Sequence, residues 1–234
     1  CSLVWFTSLG ERLAGHLCLP TNRKGALPGV VVLGSWTTVK EQMAGLYARK
    51  LAAKGYAALA FDPWGHGESS GAPRNVESPS RKINDVKAAV AFLLEHRAVK
   101  GKQVGALGVC AGAGYVAGAA AGNKQIAAVA LVAPWLHDAA MVRLVYGGKR
   151  GVQKRLVAAK AAKKLFEKTG KVRYVPAVST KNKKAAMCCA IGKKRMNEAL
   201  RSCDYCTTSM DERSACYKAV AKDEGLRSKT CMLM

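Results

Sequence analysis

The sequence predicts an α/β protein, a mostly parallel sheet with helices on both faces, and three features carry that prediction. Apolar runs of strand length at Gly29–Leu33 (GVVVL), 56–61, 103–109 and Ile126–Val132 suit strands buried on both faces. Segments with helical apolar spacing separate these runs, giving the repeated strand–helix–strand order of a parallel sheet. Half of the 234 residues are hydrophobic and only 6% are aromatic, which fits an Ala/Val/Gly-rich sheet protein and excludes a disordered chain. A chain of this length buries one sizeable core.

Each element has its own local warrant. Residues 3–7 and 13–19 read as short strands joined by a turn at 10–12. After GVVVL, a helix over about 41–54 places Met43, Leu46, Tyr47 and Leu51 on one face and stops at Gly55. The strand at 56–61 ends at Asp62 and opens a loop rich in Gly, Ser and Pro. Ser78 followed by Pro79 is a helix-start signal, and Ile83, Val86, Val90, Leu93 and Leu94 keep helical spacing to about residue 97. The strand at 103–109 runs directly into a small-residue helix over about 111–121. A basic helix over about 152–168 stops at Gly170, and residues 171–178 look extended. The organisation expected is a core at 1–148, a helical and extended segment at 149–187, and a divergent basic, Cys-rich tail at 188–234. Beyond Ala186 only Ile191 and Val220 are Ile or Val, so no buried strand is expected there.

The formal charge of +23 is unevenly placed. Residues 1–148 hold 16 Lys/Arg against 8 Asp/Glu, and residues 149–234 hold 22 against 7. No stacking aromatics interleave with the basic helix, so a solvated face is favoured over nucleic-acid binding. Nine cysteines, an odd count, with no visible secretory signal point to reduced thiols and a cytoplasmic setting. No apolar run approaches the ~20 residues that span a bilayer.

In open α/β sheets, ligands bind beyond the carboxyl ends of the parallel strands. Along that rim, Gly108-Val109-Cys110-Ala111-Gly112 fits G-x-nucleophile-x-G at a strand-to-helix junction. The turn exposes the nucleophile, and glycines stand where backbone approaches too closely for a Cβ. The helix beginning there points free N–H groups at the site, which favours a thiolate and an oxyanion. The plain alternative is that Cys110 is a small buried residue. A rival motif, Gly112-x-Gly114-x-x-Ala117, resembles a dinucleotide fingerprint. Its first glycine falls inside the helix rather than at the turn, and Asp138 is poorly placed as a ribose acid, so it carries little weight.

Gly65-His66-Gly67-Glu68-Ser69 after a buried strand, together with the 108–112 elbow, resembles the α/β-hydrolase superfamily. The GVVVLG strand with Lys40–Glu41 beyond it, and Cys at the elbow, is similar to its dienelactone-hydrolase-like branch over about residues 9–187. The resemblance implies that Cys110 is the nucleophile and that the backbone N–H of Ala111 forms half of an oxyanion hole. The loop at Ser35 or Trp36 would supply the other half. It assigns His66 a structural role and implies a small-molecule acyl substrate with no metal or organic cofactor. The family order is nucleophile, acid, then His. Here the histidines are His16, His66, His96 and His137, and none follows His137, so His137 and Asp138 are the candidate base and its partner. Two further strands of the family sheet look missing, and the edge so left predicts self-association.

Three expectations attach to 188–234. A shifted reading frame or altered gene end would account for the lost strand pattern. Cys203-x-x-Cys206 could be half of a zinc site, but no second pair matches it. The ending Cys231-Met232-Leu233-Met234 fits a prenylation pattern, with Lys222, Arg227 and Lys229 upstream, and membrane attachment is expected only if Cys231 is prenylated.

Overall fold

A computed structural model describes residues 1–136, 138–179 and 185–188. The chain falls into two compact units, Cys1–Leu136 and His137–Met234. In the first, β1 (Ser2–Ser8), β2 (Glu11–Cys18), β3 (Gly29–Leu33), β4 (Ala57–Phe61), β5 (Val104–Val109) and β6 (Ile126–Val132) form one sheet in the order β1-β2-β4-β3-β5-β6. The β1–β2 hairpin is antiparallel and joins β4 antiparallel; β4, β3, β5 and β6 are mutually parallel. The connecting helices are α1 (Met43–Ala53), α2 (Pro79–Glu95) and α3 (Ala111–Ala120).

Strand alternation sorts the core into two layers. Val31, Leu33, Leu59 and Phe61 share one cluster with Val86, Val90 and Leu93 of α2. Val30, Val32, Ala58 and Ala60 share the other with Met43, Ala44 and Ala48 of α1. The large buried side chains of the α2 layer each contribute about 1.5–3 kcal/mol of burial.

The strands and helix order follow the sequence prediction, with one local difference in α1. Helix α1 starts at Met43 and buries Met43, Ala44, Gly45, Ala48 and Ala52, while Leu46 is exposed. Its small residues let the helix lie close to the Ala-lined face of β4. Of the four residues expected on the core face, Met43 is buried, Tyr47 and Leu51 pack partly buried against the same cluster, and Leu46 turns outward. Helix α2 starts as predicted, with Ser78 capping the Arg81 N–H and Pro79 in the first turn. It buries Lys82 and Asp85 alongside Val86, Ala89, Val90 and Leu93.

A correction concerns the thiols. Cys1 and Cys18 form a disulfide, where reduced cysteines were expected. The antiparallel register pairs Ser2 with Leu17, which brings the two cysteines face to face across the hairpin. Cys110 is free and partly buried. No helix among them is long and apolar enough to cross a membrane.

In the second unit, α4 (Ala139–Val145) and α5 (Gly148–Thr169) are followed by the paired strands β7 (Val178–Ser179) and β8 (Met187–Cys188). Helix α4 has no counterpart in the sequence prediction; it is opened by the Asp138 carboxylate, which accepts from the Met141 N–H at 2.7 Å. Helix α5 ends where predicted, with Gly170 in the left-handed region at φ 69°. Residues 189–234, with the Cys203/Cys206 and Cys231 expectations, lie outside the described residues.

Candidate active site

The carboxyl ends of β3 and β5 build the site. Leu33 pairs with Gly108, so Ser35 and Cys110 both stand two residues beyond a paired position on the same rim. Cys110 links β5 to α3 with φ 55° and ψ −118°, a conformation that disfavours any side chain. The turn persists because its surroundings fix it: the Cys110 N–H donates to Val132 O at 2.9 Å, and its carbonyl accepts from Trp135 N at 3.0 Å and Ala113 N at 3.1 Å.

The two flanking glycines are sterically obligatory. A Cβ at Gly108 would lie 2.5 Å from Gly112 O, and one at Gly112 would lie 2.1 Å from Gly34 O. The second contact presses the first turn of α3 onto the end of β3. Ala111 opens α3, so its N–H belongs to the turn that lacks intrahelical acceptors. Ser35 is buried and Trp36 partly buried beside it, and the Ser35 carbonyl accepts from Thr38 Oγ1 at 2.8 Å.

Two buried polar clusters brace this rim. In the first, Asp62 accepts the Lys40 N–H at 2.7 Å and the Lys40 ammonium at 2.9 Å, and also the Glu68 N–H at 3.0 Å. The same ammonium pairs with Glu41 at 2.7 Å and with Glu68. Burial works against the Lys40 charge, yet the hydrogen bonds its ammonium donates to Asp62, Glu41 and Glu68 outweigh it and raise its pKa above the ordinary lysine value.

In the second cluster, Glu77 accepts from Tyr115 Oη at 2.9 Å and pairs with Lys82 Nζ at 2.7 Å. Burial pushes the Lys82 pKa down and the Tyr115 pKa up, the latter helped by the Glu77 charge and by Cys110 nearby. His66 is buried with Nδ1 2.9 Å from Trp64 O, and Nε2 lies 3.9 Å from Glu77 without a hydrogen-bond partner. Burial and the Lys82 charge lower its pKa, so the ring is held neutral.

The structure thus gathers Cys110, Ala111, Ser35 and Trp36 at one rim. Asp138 belongs to the second unit and caps α4; His137 lies outside the described residues. The sequence reading named Lys40 and Asp62 without giving them a role, and it did not single out Glu77, Lys82 or Tyr115. One signal was available: Lys82 and Asp85 fall on the Val86/Ala89/Val90/Leu93 face of α2, and a charge on an apolar stripe is buried only when paired.

A parallel sheet flanked by helices, with a strained residue between two obligatory glycines at a strand-to-helix turn, defines an α/β-hydrolase fold. Residues 40–215 match the serine aminopeptidase S33 family, and the chain belongs to that family of α/β hydrolases. The match continues past residue 187, where the family-like sequence was expected to end.

The chain is similar to the uncharacterized protein PA2218 of Pseudomonas aeruginosa, 44% identical over 121 residues, which cover 51% of this chain and 33% of that protein. The PA2218 crystal structure superposes with a TM-score of 0.70 at 31% identity, covering 88% of this chain and 63% of that one. The polyketide transferase grgF of Penicillium sp is 32% identical over 136 residues, 58% of this chain and 45% of that protein. Its structure shares the fold with a TM-score of 0.66 at 24% identity, covering 87% of this chain and 66% of that one. A dienelactone hydrolase-like promiscuous phosphotriesterase, P91, from metagenomic libraries has a TM-score of 0.51 at 25% identity over 60% of this chain and 62% of that one. The chain spans less than half the length of these two curated relatives, 33% and 45%.

Proposed function

We propose that this protein acts on small ester, lactone or related acyl compounds through Cys110 as nucleophile. The observation that carries the reading is the strained Cys110 turn, fixed between Gly108 and Gly112 at the first turn of α3. The Cys110 thiolate adds to the carbonyl carbon, and the C=O electron pair moves onto oxygen. The oxyanion accepts from the N–H of Ala111 and from an N–H of the loop at Ser35 or Trp36. Collapse expels the alcohol oxygen, which takes a proton, and leaves a thioester on Cys110. Water then releases the acid and restores the thiol if a general base is at hand; His137, with Asp138, is the candidate. This chemistry calls for no metal or organic cofactor.

A second reading is favoured by one observation, that the Asp138 carboxylate meant to partner the candidate base is engaged instead in capping α4, accepting the Met141 N–H at 2.7 Å. On it the chain is acylated without turnover, and serves as a binding protein of the same fold. A cytoplasmic location belongs to the first reading; the Cys1–Cys18 disulfide is the observation against it, and a thiol count on protein isolated under trapping conditions decides.

The deciding measurement follows product release from a chromogenic ester, per mole of protein, beside Cys110→Ala. Release well beyond one equivalent, lost in the variant, supports hydrolysis with a working base. One equivalent supports the second reading. Release that survives in Cys110→Ala removes Cys110 from both.

A further inference from the structure

Resting on the reading of Cys110 and the Ser35–Trp36 loop as the reacting site, we propose that Glu77 is the positioning residue that sets the oxyanion loop against the elbow helix. Its carboxylate joins two elements that the sheet alone leaves independent. On one side, Oε2 accepts the N–H of Thr37 at 3.3 Å, the residue directly after Trp36. On the other, Oε1 accepts the hydroxyl of Tyr115, five residues beyond Cys110 on α3, at 2.9 Å. Lys82 of α2 holds the same carboxylate from below, at 2.7 Å from Oε1 and 2.9 Å from Oε2. Glu77 itself is largely buried.

An independent feature of the loop makes this contact consequential. Thr37 is β-branched yet sits at φ 57°, in the left-handed region that such residues disfavour. A backbone of that kind costs about 1–3 kcal/mol and persists only where its surroundings over-determine it. Within the loop, Thr38 donates twice to Ser35 O, from its N–H at 3.4 Å and from Oγ1 at 2.8 Å. The Thr37 N–H bond to Glu77 is the restraint that reaches the loop from another element. Releasing it lets Thr37 relax toward negative φ, and that rotation swings the amides of Trp36 and Ser35 away from the elbow. Glu77 acts through these amides and touches no reacting atom.

The test compares wild type, Glu77→Gln and Glu77→Ala in the full chain, with two readouts. In the first, amide hydrogen exchange is followed over residues 34–40. Glu77→Ala is expected to speed it by about tenfold or more, as for a locally released loop. In the second, Cys110 acylation by an activated ester is set against its alkylation by iodoacetamide. Alkylation forms the S–C bond as iodide leaves and the thiol proton goes to solvent, so no oxyanion arises. Positioning predicts acylation slower by about 10- to 100-fold in Glu77→Ala, with alkylation within about twofold of wild type. Glu77→Gln retains one acceptor oxygen for Thr37 and should fall between; it also provides the reading if the alanine variant does not fold.

Unchanged exchange at 34–40 overturns the proposal, as does a parallel fall in acylation and alkylation. If wild-type Cys110 is alkylated but never acylated, the acyl-chemistry reading fails. The exchange experiment still decides whether Glu77 holds the loop.

Discussion

Gly112 lies directly against Gly34: a Cβ on Gly112 would stand 2.1 Å from the Gly34 carbonyl oxygen, a backbone atom that cannot step aside. Contact between these two residues is what seats α3 at the end of β3. Gly112→Ala should therefore destabilise the protein by about 3 kcal/mol or more, at or above the top of the usual range for overpacking, because the neighbour is backbone. Urea denaturation of the variant beside wild type checks it.

Cys110 carries its own strain, and relief should separate stability from reactivity. Glycine tolerates φ 55°, whereas alanine does not. Cys110→Gly is expected to be more stable than Cys110→Ala by about 1 kcal/mol, with neither acylated by an ester or alkylated by iodoacetamide at position 110. Equal denaturation midpoints would show that the turn is not strained.

Removing the Lys40 side chain should be costly. Asp62 is fully buried, and Lys40→Met would leave its carboxylate without the ammonium. A loss of about 3–5 kcal/mol is expected in thermal or chemical denaturation. The Lys40 pKa is raised in the folded state, so its contribution is complete below the ordinary lysine value and fades only as pH climbs through the raised one. The deficit should therefore hold steady between about pH 5 and 9.

His66 gives the opposite pH signature. Its folded pKa is lowered by burial and by Lys82, with Glu77 and Arg74 also facing it. Above the ordinary histidine value this shift has no effect on stability. As pH falls below about 6.5 the unfolded chain takes up a proton that the folded ring resists, and stability drops. The slope from this one group is at most about 1.4 kcal/mol per pH unit. Denaturation midpoints measured from pH 7 to 5 should fall less steeply in His66→Gln than in wild type.

Strand β6 ends the sheet among the described residues, and residues 127–130 are exposed, Val129 by 46%. An apolar terminal strand of this kind invites pairing with another copy. Light scattering should show mass increasing with concentration, and Val129→Lys should reduce it. A monomer at every concentration would remove the expectation.

The strand–helix alternation and the elbow were legible because each is a local pattern. Apolar runs mark β3 to β6, Ser78-Pro79 opens α2, and Gly108 and Gly112 bracket Cys110 within five consecutive residues. In α1, Met43, Tyr47 and Leu51 meet the core as read, while Leu46 does not, because Ala44, Ala48 and Ala52 let the helix approach the sheet on their side. The disulfide was missed because its two halves meet only through the hairpin register.

What the sequence determined by itself was the fold class, the parallel strands and the position of the elbow, since hydrophobic period and glycine spacing depend on neighbours a few residues apart. What only the tertiary structure decided was the set of groups standing behind the elbow. Lys40 meets Asp62 across 22 positions, and Glu77 meets Thr37 across 40 and Tyr115 across 38. No local period records such pairs. They form because parallel strands bring the loops at their carboxyl ends to one rim, where buried charges must find partners.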